Sequence, residues 1–154
     1  MTPGESQDRD VRVRAPEPSD AEALAGLLGE LGYPSPVDAV ARRLGELACS
    51  EMDAIFVALL AGEPVGLAAV HVIPLFHQEQ PIARITSLVV AERARRRGIG
   101  VALLAECEAY ARALRADRLE LTSSDQRAGA HAFYLSSGFV REAQRFTKRL
   151  GPRC

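Results

Sequence analysis

The chain has 154 residues, 47% of them hydrophobic and 25% charged, and carries a formal net charge of −1 at pH 7. That length and balance describe one soluble domain, residues 1–154, with enough apolar side chains for a full core. Three isolated cysteines, Cys49, Cys107 and Cys154, without metal-ligand spacing argue against a disulfide framework and a zinc site, and near-neutral charge with no apolar run of about 18 residues argues against nucleic-acid and membrane partners.

Residues 1–10 are polar and expected to be flexible, and they lack the basic-then-apolar form of a signal peptide, which makes the cytoplasm the expected location. Val11 and Val13 alternate with Arg12 and Arg14, the pattern of a short strand that stops at Pro16. Ser19 stands three residues before Glu22, a capping-box spacing, ahead of the apolar series Ala23, Leu24, Leu27, Leu28 and Leu31. Gly32 and Pro34 close that amphipathic helix, and a second begins near Pro36 with Val37, Val40, Ala41, Leu44 and Leu47 on one face. From Ala54 the period changes: residues 55–60 and 65–73 read as two strands joined by the turn Ala61-Gly62-Glu63-Pro64. After a loop at 74–81, residues 82–90 form the third strand of this meander. Ile99, Leu103, Cys107, Tyr110 and Leu114 then hold a helical stripe, 118–122 is another strand, 128–137 a short helix, and 138–150 a last hairpin. The order is βααβββαβαββ, a mixed α/β architecture whose hairpins demand a largely antiparallel sheet flanked by helices.

Between the third strand and the long helix stands Arg95-Arg96-Arg97-Gly98-Ile99-Gly100. A helix N-terminus leaves four N–H groups unpaired and carries about half a positive charge, so it attracts anions. Glycines let a phosphate approach the main chain, and the arginines raise the local potential. The basic cluster 93–97 has neither stacking aromatics nor a spread basic face, which argues against a nucleic-acid site. The hexapeptide resembles the acetyl-CoA pyrophosphate loop of the GNAT superfamily of N-acetyltransferases, Gln/Arg-x-x-Gly-x-Gly/Ala, with Arg95, Gly98 and Gly100 at its fixed positions. A second motif, Ala130-His131-Ala132-Phe133-Tyr134 followed by Gly138-Phe139, resembles the superfamily's Ala-x-x-Phe-Tyr-x-x-x-Gly-Phe. The resemblance, including the element order, runs from Val11 to Leu150.

By the spacing of its ligand-type residues the chain is expected to hold no metal, and the resemblance implies acetyl-CoA as co-substrate. Its pantetheine arm is expected along the main chain of Leu88, Val89 and Val90, where the third strand parts from the strand at 118–122. Its pyrophosphate is expected on the amides of residues 96–101, comprising Arg96, Arg97, Gly98, Ile99, Gly100 and Val101, beside Arg95. Tyr134, at the family's tyrosine position, is implied as the proton donor to the leaving thiolate, and a backbone N–H near Val90 as the oxyanion donor. Glu120, on the strand lining the cleft, is the candidate base; as a salt-bridged glutamate it would have no such role. His71, His77 and His131 are alternatives, the first two also a faint metal pair without a third ligand. Two positions depart from the family pattern: Arg127 stands where many members have asparagine, and Arg115 where the helix commonly gains a glycine. The expected reaction is direct transfer of acetyl from acetyl-CoA to a primary amine of a small molecule: a polyamine, amino sugar, aminophosphonate or amino acid. The alternatives are acetylation of a protein N-terminus or lysine, and a non-catalytic acyl-CoA-binding module. Family members are often dimers, so a homodimer is allowed by analogy.

Overall fold

The structure, a computed structural model, describes residues 10–123 and 128–151. The chain divides into two compact units, Met1–Thr122 and Ser123–Cys154. In the first unit the order is β1 (Val11–Arg14), α1 (Ala21–Leu31), α2 (Val37–Ala48), β2 (Asp53–Leu60), β3 (Glu63–Ile73), β4 (Ile82–Val90), α3 (Ile99–Ala113) and β5 (Leu119–Leu121). The strands form one sheet in the order β1-β2-β3-β4-β5, antiparallel throughout except for the parallel pair β4 and β5. Among the described residues no helix is long and apolar enough to cross a membrane.

Local chemistry explains most boundaries. The β2–β3 turn is tighter than the sequence suggests: Ala61 and Gly62 both have positive φ, as a two-residue hairpin of type I′ requires, and Pro64 already pairs with Leu59. Glycine ends α1, where Gly32 is left-handed and Tyr33 N–H reaches the Leu28 carbonyl at 2.8 Å. The expected Ser19/Glu22 capping box is not what starts α1. Instead a 3₁₀ turn, Pro18–Asp20, precedes the helix, and the Glu17 N–H donates to Asp20 Oδ2 at 2.6 Å. Arg14 donates to the same carboxylate through Nη1 and Nη2 at 2.7 and 3.0 Å, so β1 and α1 are joined by a bidentate, mostly buried ion pair. On α2 only Val40 is fully buried; Val37 and Ala41 face solvent.

The core lies on both faces of the sheet. Gly66, Ala68, Val70 and Val72 share the face covered by α3, whose Ile99, Leu103, Leu104 and Cys107 are all buried. On the opposite face Val57 and Leu67 are equally buried where α1 packs on β3 and β4 and α2 on β2. Gly66 is required by this packing: a Cβ there would lie 3.1 Å from Ile99 Cγ2, 3.1 Å from Leu103 Cδ1 and 3.2 Å from the Val89 carbonyl oxygen. The helix ends at Leu114 with Arg115 left-handed, φ 60°, a conformation that glycine adopts most readily.

The second unit holds α4 (Ala128–Ser136), ended by a left-handed Gly138. The expected last hairpin is not formed. Residues 139–151 adopt no regular element, and Val140, Phe146 and Leu150 are exposed. The element order is therefore βααβββαβα among the described residues, with five strands. The cause is legible in hindsight: apolar residues at 140, 143, 146 and 150 lack the period of two that would give a strand one buried face, and five charged side chains separate them. Residues 1–9 of the N-terminal stretch expected to be flexible, Arg127 and Cys154 lie outside the described residues.

Candidate functional site

The loop 91–98 is built by a short 3₁₀ turn and two left-handed residues. Ala91 accepts from Ala94 N–H at 2.9 Å to form the turn Glu92–Ala94, Arg96 has φ 66° and Gly98, the N-cap of α3, has φ 76°. Ala102 N–H bonds the Gly98 carbonyl at 3.0 Å, so the amides of Ile99, Gly100 and Val101 precede the first turn's backbone bond and are the orphan donors of the helix start. Nothing lies within 4 Å of where a Gly98 Cβ would stand, so glycine answers to φ rather than to space. Arg95, Arg96 and Arg97 are exposed, and Arg95 Nε reaches the Val90 carbonyl at 3.4 Å. Glu30 of α1 steadies the loop's entry, its Oε1 accepting from Glu92 N–H at 3.0 Å. The structure thus brings Arg95, Arg96, Arg97, Gly98, Ile99, Gly100 and Val101 together as an exposed cationic turn capped by free amides.

The cleft beside it comes from sheet register. β4 and β5 pair only from Ala83↔Leu119 to Ile85↔Leu121, whereas β4 runs on to Val90. The β3–β4 register slips at the same point: Ala69 opposes Ser87 and Val70 opposes Ile85, which leaves Thr86 as a one-residue bulge. Residues 86–90, with Leu88, Val89 and Val90 among them, therefore extend beyond the β5 ladder and present a strand edge leading toward the cationic turn. Peptide-like amides can pair along such an edge.

Glu120 does not stand alone on β5. Its Oε1 accepts from Arg84 Nε at 3.0 Å and from Arg84 Nη2, and its Oε2 lies 3.5 Å from Arg118 Nε. Both oxygens face guanidinium groups, the ion-paired arrangement weighed against the base role. His71 is also paired, its Nδ1 2.8 Å from Asp53 Oδ1, while Ser50 donates to Asp53 Oδ2 at 2.6 Å; His77 is exposed on the loop 74–81. Among the described residues no group of three or more His, Cys, Asp or Glu could hold a metal ion. A cavity of about 210 Å³, lined by Met52, Val72, Leu75 and Leu114 among others, is apolar apart from Glu79. It sits at the far end of the 15-residue α3, about 22 Å from the turn, and has no part in an anion site.

In the second unit, Tyr134 lies in the aromatic cluster of α4, its ring centroid 5.6 Å from that of Phe133 and 5.8 Å from that of Phe139. The Phe139 N–H bonds the Tyr134 carbonyl at 3.0 Å, closing the turn after Gly138. His131 shares that helix. Sequence reasoning passed over three residues that shape the first unit: Gly66, Glu30 and Arg84. Gly66 carried a signal, a glycine inside a strand, which marks close approach. Glu30 and Arg84 carried none, since their partners are distant in the chain.

Comparison with known proteins agrees with this geometry. Residues 27–139 match the model of the acetyltransferase (GNAT) family. The aminoalkylphosphonate N-acetyltransferase of Salmonella typhimurium is 40% identical over 93 residues, 60% of each chain, so the match spans less than two thirds of that relative's length. A structure termed a transcriptional regulator, from Bacillus halodurans C-125, superposes with a TM-score of 0.81 at 26% identity, covering 91% of this chain and 99% of that one. An aminoglycoside acetyltransferase from an uncultured soil metagenomic sample gives a TM-score of 0.75 at 27% identity, covering 92% and 99%. With a family match over most of its length, a parallel β4–β5 pair that parts at a bulge and a glycine-bearing basic turn before α3, the chain belongs to the acetyltransferase (GNAT) family.

Proposed function

We propose that the protein is an N-acetyltransferase that uses acetyl-CoA to acetylate a primary amine of a small molecule. The observation that carries this reading is the junction of an unladdered β4 edge with a cationic turn and the free amides of α3. These groups fit the co-substrate: an amide-bearing arm can pair with Leu88, Val89 and Val90, and a pyrophosphate can accept from the amides of residues 96–101 with Arg95 beside it. Bound acetyl-CoA supplies a thioester carbonyl open to direct attack. The protein's part is to hold the amine in line, place an N–H near Val90 on the developing oxyanion and give the departing sulfur a proton, a role we assign to Tyr134 by its motif. Because Arg84 donates to one oxygen of Glu120 and Arg118 lies within ion-pair distance of the other, we assign Glu120 to holding Arg84 and leave amine deprotonation to water. Among acceptors, an aminoalkylphosphonate is the one favoured by the Salmonella relative.

A calorimetric titration with acetyl-CoA tests the donor site, with Gly100→Glu as the variant that fills it with charge. Saturable one-to-one binding abolished by the substitution is expected. Folded protein that binds no acetyl-CoA would overturn the proposal. Thiol release over a panel of amines, aminoalkylphosphonates included, then identifies the acceptor class. The rival reading is a non-catalytic acyl-CoA-binding module that keeps the fold and has lost turnover. Tyr134→Phe separates the two: in an enzyme, turnover falls by about 10²-fold or more while acetyl-CoA affinity holds, whereas a binding module shows no turnover with any amine.

A further inference from the structure

We propose that Arg84, held in orientation by Glu120, anchors an anionic group on the amine acceptor, so that the acceptor is an amine bearing a phosphonate, phosphate or carboxylate. The inference rests on the acetyltransferase reading and assigns the residue that would select its substrate. Asp53, His71, Arg84 and Glu120 are successive register partners across β2, β3, β4 and β5, so their side chains form one row on one sheet face. That face is opposite the one covered by α3, because their neighbours Val70 and Val72 share the α3 face with Gly66. The row remains accessible, with 42% of the His71 side chain and 46% of the Arg84 side chain exposed. Arg84 and Glu120 stand one rung from Ile85↔Leu121, where the β4–β5 ladder ends and the cleft opens. An amine presented to the cleft from this face passes Arg84.

The guanidinium is built to be used further. Glu120 engages its Nε and Nη2 edge, and Arg84 Nη1 has no partner among the described residues. A planar fork fixed along one edge offers its other edge for a second, bidentate contact with an oxyanion. Glu120 also faces Arg118, and Arg118 Nη1 lies 3.1 Å from Asp117 Oδ2. Two arginines and two carboxylates balance, so capture depends on directed N–H donors rather than on a net positive field. His71 Nδ1 is engaged by Asp53 and adds no competing site. Glu120 is accordingly a positioning residue.

The test titrates the protein calorimetrically with 2-aminoethylphosphonate, β-alanine and inorganic phosphate, in the presence and absence of coenzyme A, and compares the parent with Arg84→Met, Arg84→Lys and Glu120→Gln. The expected result is saturable binding of at least one of the three anions by the parent, weakened about 10- to 100-fold in Arg84→Met, as for loss of a charge-assisted bond, and less in Arg84→Lys, which keeps the charge without the fork. In turnover, the ratio of kcat/KM for the anionic amine to that for propylamine falls by the same factor in Arg84→Met. Glu120→Gln raises KM for the anionic amine more than it changes kcat. Circular dichroism establishes that each variant is folded, and Arg84→Lys serves if Arg84→Met is not. A parent that binds none of the three anions, or an Arg84→Met variant that loses both amines equally, overturns the proposal. Acetylation of propylamine with no preference for the phosphonate would overturn the Arg84 assignment alone. Failure to bind acetyl-CoA would instead overturn the acetyltransferase reading, with the anion titrations still reporting on Arg84.

Discussion

Placing a side chain at Gly66 should show that α3 is seated on β3 by the absence of a Cβ. Glycine inside a strand costs about 0.5–1 kcal/mol through chain entropy, and valine is the better strand former by up to about 1 kcal/mol, so propensity alone predicts that Gly66→Ala and Gly66→Val stabilise. Packing opposes this. The new Cβ meets Ile99 Cγ2 and Leu103 Cδ1 at 3.1 Å and the Val89 carbonyl oxygen at 3.2 Å. Ile99 and Leu103 are 1% and 0% exposed, so neither side chain has space to yield, and the third contact is main chain. Overpacking of this kind costs about 1–3 kcal/mol, which leaves a net loss of about 1 kcal/mol for alanine and, with two further methyl groups, about 2–3 kcal/mol for valine. Urea unfolding should show a lower midpoint with unchanged slope, and Tm should fall by roughly 2–4 °C for each kcal/mol. Ile99 is the first residue of α3, so the same displacement moves the amides at the helix start and acetyl-CoA affinity should fall with stability. A Gly66→Val protein that unfolds at or above the parental midpoint would refute the steric argument.

Asp20 should shape the acid limb of stability. The bidentate Arg14 guanidinium, then the Glu17 amide, hold its carboxyl below the usual range in spite of burial. Such a group contributes stability that is full above the ordinary carboxylate value near 4 and is lost as pH falls through its lowered folded value. Asp20→Asn should therefore cost about 2 kcal/mol at neutral pH, with Arg14 left a third exposed, and flatten the loss below about pH 4 in denaturant titrations across pH. Arg115→Gly should stabilise by about 1 kcal/mol, since it relieves a left-handed residue, and a lower Tm would count against that reading. Burial, reinforced by Glu106 and Glu108, pushes the Cys107 thiol up to about 12. Iodoacetamide at pH 8 should therefore label the exposed Cys49 and leave Cys107 unmodified until denaturant is added, as read by peptide mass spectrometry.

The sequence by itself determined what depends on local pattern. Alternation and helical period placed β1 to β4 and α1 to α3 within a few residues, since each element must turn a regular apolar face inward. Two glycines and three arginines at a strand-to-helix junction marked a candidate anion site for the same local reason: the helix start and its glycine conformations are properties of a short stretch. Arg115 stood out only as a departure from the family pattern, and its left-handed φ of 60° is a finding of the structure. The hairpin expected at 138–150 failed where pattern was weakest, with apolar residues spaced by three and four. Tertiary structure alone decided which charges meet. Arg84 and Glu120 are 36 residues apart, and only the parallel β4–β5 register sets guanidinium against carboxylate. The cleft has the same origin, because a bulge at residue 86 and a ladder ending at Ile85↔Leu121 arise from pairing between strands, and one chain's side-chain order does not encode where its neighbour stops.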